Sequence, residues 1–142
     1  MAREPSPKLF TVEEANQLLP QVRKGLQELQ KRQSKILRIE QKKAVEELSW
    51  LREDGTVSPK AQATVSRLDE TLEDEVRGFE EELERFSSLG AQLKDLGEGL
   101  VDFYAARGGT LVFLCWKEGE DQVRYWHDLE SGFAGRRSLE QF

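Results

Sequence analysis

Apolar residues in the first half of the chain recur at steps of three and four. Ala15, Leu19, Val22, Leu26 and Leu29 mark one helical face. After the polar Gln33 the pattern resumes at Leu37, Ala44, Leu48 and Leu51, one residue out of phase. Thr11-Val12-Glu13-Glu14 is a capping box that opens this helix, with Phe10 in the staple position. Pro20 lies inside the pattern and predicts a bend or break near residues 16–19, because it lacks an N–H. Arg52 to Val57 ends the helix, and Ser58-Pro59 opens a second one as N-cap and first helical residue. Its seam runs through Val65, Leu68, Leu72, Val76, Phe79, Leu83, Phe86, Leu93 and Leu96, and stops at Gly97 and Gly99. Residues 10–97 therefore read as a helical hairpin.

From Gly99 the period becomes two. The pattern predicts strands over residues 100–106, 110–117 and 122–127. Arg107-Gly108-Gly109 and Glu118–Asp121 supply the turns. Residues 99–127 form an antiparallel meander, and residues 128–142 are a tail packed on the sheet through Phe133, Leu139 and Phe142. The fold class is α+β. A long antiparallel two-helix hairpin, coiled-coil-like, precedes a three-stranded antiparallel β-meander and an irregular tail, all in a single domain over residues 1–142.

Charge fixes the sense of the hairpin. Arg23, Lys24, Lys31, Arg32, Lys35, Arg38, Lys42 and Lys43 dominate the first helix from Pro20 onward. Asp69, Glu70, Glu73, Asp74, Glu75, Glu80, Glu81, Glu82 and Glu84 dominate the second. Folding back at Gly55 sets the blocks side by side, and a parallel self-pairing would stack like charges. Each exposed pair is worth only about 0.2–1 kcal/mol, so the blocks set register more than stability.

In the sheet, pairing Arg107 with Thr110 sets Asp102 opposite Cys115 and Phe103 opposite Leu114. Pairing Lys117 with Gln122 sets Cys115 opposite Arg124, Phe113 opposite Trp126 and Val112 opposite His127. One face then carries Val101, Phe103, Ala105, Val112, Leu114, Trp116, Val123, Tyr125 and His127. The other carries Asp102, Tyr104, Leu111, Phe113, Cys115, Arg124 and Trp126. Both faces are apolar enough to need cover, one from the base of the hairpin and the other from the tail or a second subunit. Two long helices alone bury little surface per residue, which predicts a homodimer, most simply a four-helix bundle.

The chain is 37% hydrophobic and 34% charged, with a net charge of −6. It is too apolar for a disordered chain and too acidic for a duplex nucleic-acid binder without a concentrated basic face. No apolar leader opens the chain, and the longest apolar run, Leu111 to Trp116, is far short of a membrane span. Cys115 is a single cysteine and forms no internal disulfide. The expectation is a cytoplasmic protein that binds neither membrane nor nucleic acid.

Cys115 and His127 invite a nucleophile–base or metal-ligand reading, but the register above puts them on opposite faces. Asp102 and Arg124 flank Cys115 as a cross-strand ion pair, or as a small polar pocket beside Trp126 and Tyr104. His127, Asp128 and Glu130 offer nitrogen and oxygen ligands to a divalent metal as a secondary reading. The acids of Glu118–Asp121 solvate a hairpin tip. Gly132 to Arg137 reads either as an anion site or as a tight turn whose arginines pair with carboxylates. Walker, GxGxxG, GxSxG, CxxC and HExxH motifs are all missing from the sequence.

Phe10-Thr11-Val12-Glu13-Glu14-Ala15-Asn16 with Leu18-Leu19-Pro20, then Leu114-Cys115-Trp116, Gly119-Glu120, Trp126-His127 and Gly132-Phe133-Ala134-Gly135-Arg136, resemble a bacterial family, domain of unknown function 2203. The resemblance covers nearly the whole chain. It implies a small bacterial cytoplasmic protein with long helices and a short sheet, and brings no established activity. It draws attention to Cys115, Trp116, Glu120, Trp126, His127, Phe133 and Arg136, with Phe133 docking the tail and Arg136 capping an acid such as Asp102.

The sequence thus favours a non-enzymatic dimer acting through protein–protein contacts, with no cofactor. The alternative is a small-ligand or divalent-metal-binding domain, with a hydrolase among its readings. Its candidate residues are Asp102, Cys115, Arg124, Trp126, His127 and Arg136.

Overall fold

A computed structural model describes residues 8–50 and 52–142. Two helices, α1 (Val12–Leu48) and α2 (Pro59–Ser88), precede a five-stranded antiparallel sheet. The strands are β1 (Gln92–Asp95), β2 (Leu100–Arg107), β3 (Thr110–Lys117), β4 (Tyr125–Asp128) and β5 (Arg137–Ser138), in that spatial order. The fold is α+β, but the expected three-stranded meander is two strands short. The tail does not remain irregular: it adds β5 to the edge of β4, pairing Tyr125 with Ser138 and Trp126 with Arg137.

The start of each helix follows its caps. The Thr11 hydroxyl accepts from the Glu14 amide at 3.1 Å, and the Glu14 carboxylate accepts from the Thr11 amide at 3.0 Å. Ser58 accepts from the Ala61 amide ahead of Pro59. Pro20 neither breaks nor interrupts α1, which runs through it. Its ring is exposed, so it removes one backbone hydrogen bond without disturbing packing.

The end of α2 departs from the apolar period. Leu93 lies in β1 and Leu96 in the turn after it, because Gly90, at φ +92°, closes the helix instead of Gly97. A side chain at Gly90 would also meet the Phe10 ring at 3.2 Å.

The described chain divides into two compact units: residues up to Glu28 with Leu83–Phe142, and Leu29–Glu82. In the second unit the helices run antiparallel, as the ion pairs Lys35–Glu75 at 2.8 Å and Lys43–Asp69 at 2.7 Å require. Its buried residues include Leu29, Ile39, Ala61 and Val65, with Ile36 and Lys43 half-buried. The expected seam at Leu37, Ala44 and Leu48 is wrong, since all three are exposed; Leu51 lies outside the described residues. There the inner face carries long polar side chains: Arg32 is half-buried with its guanidinium against Gly78 of α2, and Lys43 packs its stem while its amine pairs with Asp69.

In the first unit, Ala15, Leu19, Val22 and Leu26 are buried beside one face of the sheet. Phe10 packs edge-on against Phe103 at 5.3 Å, and Arg23 lies over Trp116. That sheet face holds Val101, Phe103, Ala105, Val112, Leu114, Trp116 and Trp126, all buried.

Candidate functional site

The pairing of β2 with β3 is the expected one, with Asp102 opposite Cys115 and Phe103 opposite Leu114. The pairing of β3 with β4 is one residue away from expectation. Cys115 faces Tyr125, Leu114 faces Trp126 and Phe113 faces His127. A slip of one residue turns every side chain of a strand to the opposite face. It therefore moves His127 onto the face of Asp102 and Cys115, and Trp126 away from it.

The segment between β3 and β4 causes the slip. Glu120 is not a solvated tip residue: it folds inward and accepts from the Lys117 amide at 2.7 Å, while its own carbonyl accepts from the Trp116 indole at 3.0 Å. Arg23 donates to the carbonyls of Glu120 and Asp121. The Asn16 side chain accepts from the Val123 amide at 2.7 Å, and Val123 is buried. The chain is held against α1 until Arg124, so β4 begins at Tyr125 rather than Gln122.

The result is a buried cluster of three chemically active side chains. Asp102 and His127 are each 3% exposed and Cys115 is 1% exposed. The potential ligand atoms of all three lie within 4.8 Å of one another. His127 Nδ1 faces the Asp128 carbonyl at 2.6 Å, and Nε2 faces Asp102 Oδ2 at 3.0 Å. A carbonyl oxygen only accepts, so Nδ1 carries the hydrogen and Nε2 is left for Asp102. The Phe113 ring stands 5.4 Å from the imidazole and backs it.

Burial pushes the Asp102 carboxyl up from its ordinary range, and the neighbouring His127 pulls it back only in part. Burial also pushes the Cys115 thiol up to about 12, aided by the Asp102 charge and opposed by Arg136. A thiol held in this way, hydrogen-bonded to Asp102, is a poor nucleophile. The order of contacts, thiol to carboxylate to imidazole, also differs from a nucleophile activated by a base.

Arg136 closes the neighbouring part of the face. It pairs with Glu120 through two hydrogen bonds of 2.9 and 2.8 Å, and donates to the Cys115 carbonyl at 3.3 Å. Its guanidinium lies 3.9 Å from the Tyr125 ring centre and 4.6 Å from that of Phe133. The expected contact of Arg136 with Asp102 is replaced by this clasp on Glu120.

The other candidates lie elsewhere. Arg124 is exposed and pairs with Asp121, not Asp102. Trp126 is on the opposite face, between Arg107 and Arg137. The carboxylate of Asp128 is exposed and accepts from the amides of Glu130 and Ser131, and Glu130 is exposed as well. Of the secondary metal set, His127 alone belongs to the described three-residue cluster.

Two residues of the site escaped sequence reasoning: Glu120 as a clasp, and Asn16 as the group that positions Val123. Both stand among the residues of the family resemblance, and Glu120 otherwise reads only as a solvated tip acid. Among the described residues, no helix is long and apolar enough to cross a membrane. Residues 8–139 match the family model described as "Uncharacterized conserved protein (DUF2203)". No curated protein and no solved structure matches the chain.

Proposed function

The chain belongs to the DUF2203 family, and from the surface of its helices we propose that it works as a homodimer acting through protein–protein contacts. The carrying observation lies in the unit formed by Leu29–Glu82. Both helices leave apolar side chains in water: Leu37 is 51% exposed, Val45 66%, and Val76 36%. On α1 a shallow groove over Ile39 and Val45 is rimmed by Lys35, Arg38 and Lys42. On α2 a similar groove over Leu72 and Val76 is rimmed by Glu73, Glu80 and Arg77, the last paired with Asp74.

One surface is therefore apolar with a basic rim, and the other apolar with a net acidic rim, since Arg77 is offset by Asp74. Two copies related by a two-fold axis would set each α1 groove against the partner's α2 groove. Both apolar strips would then be covered and opposite charges brought together. This supports a four-helix bundle over any arrangement that pairs like helices.

Light scattering on the full chain tests the reading. The expected result is a dimer at micromolar concentration that weakens as salt rises, because the charged rims are screened. Val45→Glu and Val76→Glu, both at exposed positions, should each give a folded monomer. A wild-type monomer at tens of micromolar, or a dimer indifferent to both substitutions, would remove the proposal.

A further inference from the structure

The buried cluster under the tail has no part in the helical surface, yet it concentrates three ionisable groups where water is excluded. Ionisable side chains are rarely fully buried unless they are paired or hold a metal. We infer that Asp102, Cys115 and His127 form a binding site for one thiophilic divalent cation of the zinc type.

The donor set fits that ion in kind. Zinc takes sulfur, imidazole nitrogen and carboxylate oxygen, each at about 2.0–2.3 Å. Three donors that lie within 4.8 Å of one another can surround a single centre at those lengths after small side-chain movements. The imidazole is already oriented for it. Nδ1 is held by the Asp128 carbonyl at 2.6 Å, which fixes the tautomer whose Nε2 lone pair faces Asp102 Oδ2. Metal-binding histidines are held in this way by a backbone carbonyl or a carboxylate on the far nitrogen.

Charge agrees as well. A thiolate, a carboxylate and a neutral imidazole sum to −2, which a divalent ion cancels. The nearest cations do not spoil this balance. Arg136 is neutralised by Glu120, and Lys94, which acts on Asp102 from a distance, is an exposed residue with its amine over the Phe113 ring at 4.3 Å. Three protein donors leave a fourth position for water or a small ligand.

Binding has a defined proton balance. The metal displaces the thiol proton of Cys115 and the single proton shared between Asp102 and His127 Nε2. Up to two protons leave for each ion bound, and affinity rises with pH.

The experiment uses the full chain, stripped with a chelator and titrated with cobalt(II) and zinc(II). The expected result is one ion per chain, a sulfur-to-cobalt charge-transfer band in the near ultraviolet, and proton release in calorimetry. Cys115→Ser should abolish the band. His127→Gln should weaken binding by more than the roughly 10–100-fold that loss of an outer hydrogen-bond partner costs. Zinc-edge X-ray absorption on the wild-type protein decides the matter even if a variant fails to fold. One sulfur among nitrogen and oxygen neighbours supports the site. Less than one ion per chain, a shell without sulfur, or a band that survives Cys115→Ser overturns it.

Discussion

Removing the negative charge of Glu120 should expose how much the tail depends on one clasp. Glu120→Gln leaves Arg136 charged while its partner is lost. The two side chains are 22% and 15% exposed, so water screens the pair only in part. Removing one partner of a fully buried pair costs about 3–5 kcal/mol, whereas an exposed pair is worth about 0–1 kcal/mol. The residual exposure places Glu120 between these limits. The glutamine can still accept from the Lys117 amide, which offsets part of the loss, so a cost of about 2 kcal/mol is expected. Urea denaturation followed by tryptophan fluorescence measures it, since Trp116 and Trp126 both belong to the sheet. Asp121→Asn is the control. It breaks the Arg124–Asp121 pair, whose side chains are 56% and 73% exposed, and should leave the midpoint unchanged. Replacing both partners, as Glu120→Gln with Arg136→Met, should recover part of the loss, because no unpaired charge then remains under Tyr125. Equal midpoints for Glu120→Gln and Asp121→Asn would refute the clasp.

Two further outcomes follow from buried groups. The Cys115 thiol is raised from 9.0 to about 12, so the folded state holds that proton more tightly than the unfolded one. Its contribution is fully present below about pH 9 and is lost as pH climbs toward 12, an effect of up to roughly 4 kcal/mol. Metal-free Cys115→Ala should therefore lose less stability than metal-free wild type across that window; parallel denaturation midpoints would contradict this. Asn16→Ala leaves the buried Val123 amide without its acceptor and should cost about 1–3 kcal/mol. Asn16→Asp, which keeps an acceptor, should retain most of that stability, and a wild-type midpoint for Asn16→Ala would show that water replaces the contact.

Much of this architecture was legible in the residues. The capping box, the Ser58-Pro59 start, the opposed charge blocks and the Asp102–Cys115 pairing all rest on local rules, and the structure agrees with each. The site was hidden because it depends on a register that local rules do not set. The Glu118–Arg124 segment looks like a short acidic turn. Its length is set by Asn16, a residue 107 positions away in sequence from the amide it holds. The sequence pattern also misplaces the outer half of α1, because Arg32 and Lys43 sit where apolar residues would mark the inner face.

The long span between Asn16 and Val123 bears on how the molecule is made. The start of α1 leaves the ribosome early, yet Tyr104, which accepts from the Phe10 amide, and Val123 follow only some hundred residues later. Helical turns can form within microseconds, but closure over such separations is slow. During synthesis the stripe from Ala15 to Leu26 must wait uncovered while Leu29–Glu82 is completed. Nascent chains halted before residue 100 should therefore be far more prone to chaperone capture than those released after it.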